Sequence, residues 1–267
     1  MTQFRKSLPQ LGGDFFLTDG GIETTLIFLE GLELPEFAAF DLLKRREGEA
    51  ALRKYFLTYA GLAQRFGTGL ILESATWRAS ADWGTKLGYG AKEMVEVNRR
   101  AIGLLEEIRN ECKGNASKVV ISGCLGPRGD GYNPRKTMSE KDAESYHGDQ
   151  IQTFEDTAAD MVTAITMNYV EEAVGITRAA ERAGTRRHLV HGGNGCPASN
   201  RADPSRCNRA GGYRDVALPL LLHDQLRSSH PFRACIDRGG ILDAKNSWAT
   251  SQRVTEEPRR IERIPRT

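Results

Sequence analysis

Four short runs of the chain are apolar almost throughout and close on polar or glycine-containing turns. They are DFFLTDGG (14–21), GLILESATW (69–77), KVVISGCLG (118–126) and MVTAITMNY (161–169). Runs of this kind fit strands buried on both faces. Between them the period lengthens. From residue 48 to 66, Leu52, Phe56, Tyr59, Ala60 and Ala63 recur at helical spacing. In 91–112, Met94, Val97, Ala101, Leu104, Leu105 and Ile108 share one face, with acids and bases opposite. A third helix is predicted over 139–159, with Ser139 as its N-cap, and a fourth over 169–184, stopped by Gly184.

Strand and helix therefore alternate, the pattern of a parallel sheet covered by helices. Four such units in residues 1–185 have the spacing of a (β/α)8 barrel, a fold of about 250 residues. The expected class is α/β, of TIM-barrel type, with the first four or so βα units followed by an irregular C-terminal tail.

Composition divides the chain at the same place. From Arg186 onward there are fourteen Arg, a single Lys (Lys245) and four of the five His, and the periodic segments stop. That shift separates a barrel part (1–185) from an irregular or disordered tail (186–267). A net charge of +2 gives no reason to expect nucleic acid or an anionic membrane as partner. No apolar run reaches the about 18 residues of a membrane span. The first residues lack a signal-like apolar core, and five unevenly spaced cysteines suit a reducing cytoplasm.

In a barrel, function sits where strands end. The polar groups there are Asp19, Gly20, Gly21 and Glu23 after the first strand, Glu73, Thr76 and Trp77 at the second, and GCLGPRGDGY (123–132) after the third. DGGIET also reads as an ordinary turn, with Gly for backbone freedom and Asp for turn hydrogen bonds. Trp77 suits a pocket wall or the core, and Cys124 reads as a small buried hydrophobe. Arg128 and Asp130 read as solvent-facing or mutually paired, and His147 as packed or solvated. Glu171 and Glu172 complement a helix dipole. In the tail, His188, His191, Cys196 and Cys207 have a spacing, H-x2-H-x4-C-x10-C, that invites a zinc reading.

TDGGIETTL, GCLGPRGDGY, SYHGDQI and NYVEEAVGITRAA occur in that order between residues 18 and 180. Together they resemble the homocysteine S-methyltransferase family, over about residues 12–184. The resemblance implies a zinc-dependent (β/α)8 barrel that moves a methyl group from a small donor, S-methylmethionine or similar, to the thiol of homocysteine, giving methionine. It implies substrate contacts at Asp19, Gly20, Gly21, Glu23, Thr76 and Trp77. Gly20 and Gly21 would let backbone N–H groups approach the amino-acid carboxylate, and Asp19 would meet the ammonium. Alternatives are another thiol or selenol acceptor on the same barrel, or a non-catalytic amino-acid-binding fragment.

Two departures follow. The family's fourth-strand glutamate is Ile165 here. Its cysteine zinc ligands lie in NCAHP-like and GGCCG strings, and neither occurs, so this chain as written is expected to be inactive. HDQLRSSHP (223–231), however, has an allowed codon set that reads MINCAHPT from the second nucleotide. HGGNGC (191–196) and DAKNSWATS (243–251) shift in the same direction to family-like strings. The tail is therefore expected to be an out-of-frame translation, and its His/Cys spacing an accident of that frame. Sequencing the coding DNA around codon 185 tests this; codons that exclude MINCAHP in the shifted frame end the idea.

Overall fold

The computed structural model describes residues 2–112, 118–131, 134 and 136–184, and the backbone of 188–192. Five parallel strands are hydrogen-bonded in chain order: β1 (Phe16–Thr18), β2 (Gly69–Glu73), β3 (Val119–Leu125), β4 (Met161–Met167) and β5 (His188–Gly192). With them come α1 (Ile22–Thr24), α2 (Arg46–Phe66), α3 (Ala81–Lys86), α4 (Ala91–Glu111), α5 (Glu140–Glu155) and α6 (Val170–Arg182). The arrangement is a curled part-barrel of the TIM type.

The four expected strands are present but shorter than their apolar runs, and β1 is trimmed most. Phe15 is exposed, and pairing starts only at Phe16 opposite Gly69. That approach is close: a Cβ on Gly69 would lie 2.3 Å from the Phe16 ring, so only glycine fits. The four predicted helices also form. Ser139 caps α5 by accepting from the Asp142 N–H, and Gly184 follows α6 with a positive φ of 83°. The sheet differs from the expectation at its far edge. Composition puts everything after residue 185 outside the barrel, yet His188–Gly192 pairs with β4. An unpaired strand edge offers backbone N–H and C=O groups, and a following extended segment satisfies them whatever its side chains. The side chains of His188 and His191, and all of Cys196 and Cys207, lie outside the described residues.

Strand alternation sorts the side chains into two layers. Leu70, Leu72, Val119, Ile121, Val162 and Ala164 pack with the helices in the main core. Phe16, Ile71, Val120 and Met161 point the other way, into the barrel, where Phe4, Leu8 and Leu11 of the N-terminal segment pack against them. The N-terminal segment is thus a stopper in the bottom of the barrel.

Asp160, one residue before β4, fastens that stopper. Its Oδ1 accepts from the N–H groups of Gln3 and Phe4, each at 2.8 Å. Its Oδ2 accepts from Arg109 Nη1 at 2.7 Å and from the Ile121 N–H at 3.1 Å. Both Asp160 and Arg109 are buried. Arg5 adds bonds to the carbonyls of Glu155, Thr157 and Ala159. Removing one partner of a buried ion pair leaves the other charge uncompensated, at a cost of about 3–5 kcal/mol. Asp160→Ala is expected to lose stability on that scale in urea unfolding. A loss below about 1 kcal/mol would show that the node is dispensable.

Candidate functional site

The inner face of the barrel changes character along its length. Above the apolar layer of Phe16, Ile71, Val120 and Met161, the next inward positions are Thr18, Glu73, Ser122 and Thr163. Thr163 Oγ1 donates to Glu73 Oε1 at 2.9 Å and lies 2.7 Å from Ser122 Oγ. Oε2 of Glu73 is buried with no hydrogen-bond partner, although the residue as a whole is only half-buried. Cys124 is the inward residue one step further along β3 and is buried.

Asp19 follows β1 and accepts from Tyr55 Oη at 2.9 Å, a hydroxyl delivered by α2. Gly20 is exposed, and a Cβ there would lie 2.9 Å from Tyr59 Oη. Gly21 is the N-cap of α1, and Thr24 Oγ1 donates back to its carbonyl at 2.8 Å. Glu23, on α1, has a buried Oε1 without a partner. Asp19, Glu23, Glu73 and Cys124 share one electrostatic neighbourhood. Burial pushes Asp19 up to about 8; the charge of Glu73 adds to the shift and the Tyr55 hydrogen bond opposes it. Burial pushes Glu23 up to about 7 against the opposing charge of Arg78. Burial likewise pushes Glu73 up to about 7, opposed by hydrogen bonds from Ser122 and Thr163. The Cys124 thiol is raised well above its usual value by burial, and then by Glu73, Glu23 and Asp19.

Trp77 and Arg78 form the wall beside these acids. The Arg78 guanidinium lies 4.1 Å from the Trp77 ring centroid and 3.6 Å from that of Trp83, a stacked cation. It donates to the Gly129 carbonyl at 3.2 Å and so holds the loop after β3. Trp77 Nε1 donates to Thr166 Oγ1 at 3.1 Å. Thr166 has φ of 62°, a conformation that costs a β-branched residue about 1–3 kcal/mol. It stands where the β4–β5 register shifts, between Ala164 and Met167. Strain of this kind gathers where a strand end is bent to shape a site.

Of the six residues singled out from sequence, five gather at this mouth or its wall: Asp19, Gly20, Gly21, Glu23 and Trp77. Thr76 has a different part. Its hydroxyl donates to the Cys124 carbonyl at 2.7 Å and lies 2.6 Å from Ser74 Oγ, which accepts from the Cys124 N–H. The residue is fully buried and braces the ends of β2 and β3. Arg128 pairs with Asp82 rather than with Asp130. His147 is packed, with Nε2 2.9 Å from Glu172 Oε1, and Glu172 also accepts from the Arg128 N–H. Glu172 thus anchors a loop in addition to sitting in the first turn of α6.

The chain matches the homocysteine S-methyltransferase family over residues 16–196, more than half of its length. It belongs to that family. The fold agrees with solved structures of the homocysteine methyltransferase MmuM from Escherichia coli. The oxidised form superposes with a TM-score of 0.57 at 18% identity, covering 66% of this chain and 61% of that one. The metallated form gives a TM-score of 0.55 at 17% identity, with the same coverage. The chain therefore spans less than two thirds of the length of those structures. No curated protein sequence matches it.

The family and the metallated relative raise the question of a metal. Among the described residues no three His, Cys, Asp or Glu side chains are grouped so as to hold one. The two described cysteines do not remedy this: Cys124 is a buried thiol with a raised pKa, and Cys112 lies just past the end of α4. The described residues do not fit a zinc site.

The raised carboxyl groups make stability depend on pH. Their ordinary values lie near 4, so between about pH 4 and 8 the folded state keeps protons that the unfolded chain has released. Stability from these groups is highest at acid pH and is lost as pH rises through their folded values. The urea midpoint of the ligand-free protein is expected to fall between about pH 5 and 8.5, and Glu73→Gln is expected to flatten the fall. A midpoint that rises over this range would contradict the burial of the acids.

Proposed function

We propose that the mouth binds homocysteine by its amino-acid end and that the family reaction at this site is methyl transfer to its thiol, forming methionine. The observation that carries the reading is Asp19: in a chain of this family, a carboxylate oriented by Tyr55 stands beside two glycines at the top of β1. Asp19 meets the ammonium, and the backbone N–H groups of Gly20 and Gly21 take the carboxylate. Trp77 closes the side, Glu23 completes the set, and Thr76 braces the wall behind it by its bond to the Cys124 carbonyl. The donor in this reading is a small sulfonium compound such as S-methylmethionine.

Zinc enters only as an expectation from the family, because the described residues offer it no ligand set. That observation favours a second reading for this chain as written: amino-acid binding without turnover. The same proposal takes residues 1–185 as the N-terminal part of the barrel and the segment from about Arg186 as translated out of frame. It places the protein in the cytoplasm; none of the described helices is long and apolar enough to cross a membrane.

Calorimetric titration with homocysteine under reducing conditions tests the binding. The wild-type chain is expected to bind, and Asp19→Asn to bind about tenfold more weakly, the scale of one charge-assisted hydrogen bond. A wild-type chain that fails to bind sinks the reading. Zinc content and methionine formation separate the two versions. About one tightly held Zn²⁺ with methionine formation supports the enzyme, and binding with neither supports the binding fragment expected here.

A further inference from the structure

The backbone of β4 is held against its preference at one residue. Among the described residues, three that are not glycine have positive φ: Glu36 and Phe37 in the turn Pro35–Phe37, and Thr166 inside β4. Only Thr166 is β-branched, and for such a side chain the left-handed region is a true outlier.

Alternation says where Thr166 would otherwise point. Met161 and Thr163 face into the barrel, and Val162 and Ala164 face the helices. Continued without a break, that order would send Thr166 to the helix layer and Met167 inward. Instead Ala164 pairs with Val190 and Met167 with Gly192, so β4 carries one residue more than β5 over this stretch. The extra residue is a bulge, and bulges re-aim side chains beside sites. It returns Met167 to the helix core, fully buried, and leaves Thr166 half-buried at the rim.

The re-aimed hydroxyl makes two bonds. It donates to the Ile165 carbonyl at 2.6 Å and accepts from Trp77 Nε1 at 3.1 Å. Trp77 is crowded from other sides too. The Arg78 guanidinium stacks on its ring, and a Cβ on Gly126 would lie 2.7 Å from the indole nitrogen. A Cβ on Gly131 would lie 3.5 Å from Cζ2. Stacking and close packing still allow an indole to turn within its own plane. A directed bond to its single N–H donor fixes that last angle.

We propose that Thr166 is a positioning residue for ligand binding: its strained backbone aims the hydroxyl that locks the Trp77 indole as the wall of the mouth. This assignment rests on the reading that the mouth binds an amino acid beside Trp77. It gives the strain a purpose, because the hydroxyl reaches the indole only from the bulged conformation. Strain kept for function has a signature that ordinary structural residues lack: relieving it spares stability and harms binding.

The test measures L-methionine binding by calorimetry and the urea midpoint, both on the full chain. Thr166→Gly adopts the left-handed conformation without cost and removes the hydroxyl. Its urea midpoint is expected to equal or exceed that of the wild type, while methionine binding weakens about fivefold, the scale of one neutral hydrogen bond. Thr166→Ser keeps the hydroxyl and is expected to bind as the wild type does. Unchanged binding in Thr166→Gly overturns the proposal, and so does a serine variant as weak as the glycine one. A midpoint that falls together with affinity in Thr166→Gly marks Thr166 as merely structural and overturns it as well. A wild-type chain that does not bind methionine overturns the amino-acid reading of the mouth, and this assignment with it. Wild-type binding that the glycine variant retains overturns this assignment alone.

Discussion

Closing the bottom of the barrel is the condition on which the rest of this structure depends, and one carboxylate meets it. Asp160 accepts two backbone N–H groups from the N-terminal segment, one from β3 and a charged bond from α4. These four donors come from three distant parts of the chain, so the node forms only when stopper, sheet and helix layer are already together. Its burial makes it costly unless complete, and complete it fixes where the N-terminal segment must lie. The apolar inner layer of Phe16, Ile71, Val120 and Met161 is covered by Leu8, Phe4 and Leu11 as a result.

With the lower end packed and dry, the upper end is free to be polar. The same alternation that sends Ile71 into the stopper sends Glu73 into the mouth. Ser122 and Thr163 occupy the matching level on β3 and β4; Thr163 donates to one of its oxygens, and Ser122 is bonded to the Thr163 hydroxyl. The mouth is therefore built from inward positions of the strands themselves, with Asp19 and Glu23 from the turn after β1 laid beside them. Rigid strands hold the anchors, and the longer loops shape the rim, where Glu172 ties the loop after β3 to α5 through His147.

Much of this was legible in the chain. Strands covered on both faces leave unbroken apolar runs, and the four helices kept their period because each buries one stripe. The caps at Ser139 and Gly184 were readable because they are local chemistry. The short turns between Ile22 and Lys44 have no period and gave no signal. β5 was missed because it is held by the open edge of β4 rather than by its own pattern. Asp160 was missed because its partners lie up to 157 residues away in sequence. Glu73 did leave a trace. A lone acid two residues after Ile71 in an apolar run must share its face, and once the barrel was inferred that face was the inside. Thr76 shows the converse: a hydroxyl at a strand end reads as a ligand contact, yet here it serves the wall.

The stacked Arg78 has an optical consequence. Two of the chain's three tryptophans, Trp77 and Trp83, lie against its guanidinium, and Trp77 is tethered to the strained Thr166 at the rim. Indole emission responds to a nearby charge and to the polarity around the ring. Any occupant that nudges Arg78 alters the surroundings of both indoles, and one that nudges Thr166 alters those of Trp77, so the protein carries its own fluorescent gauge of whether the mouth is filled.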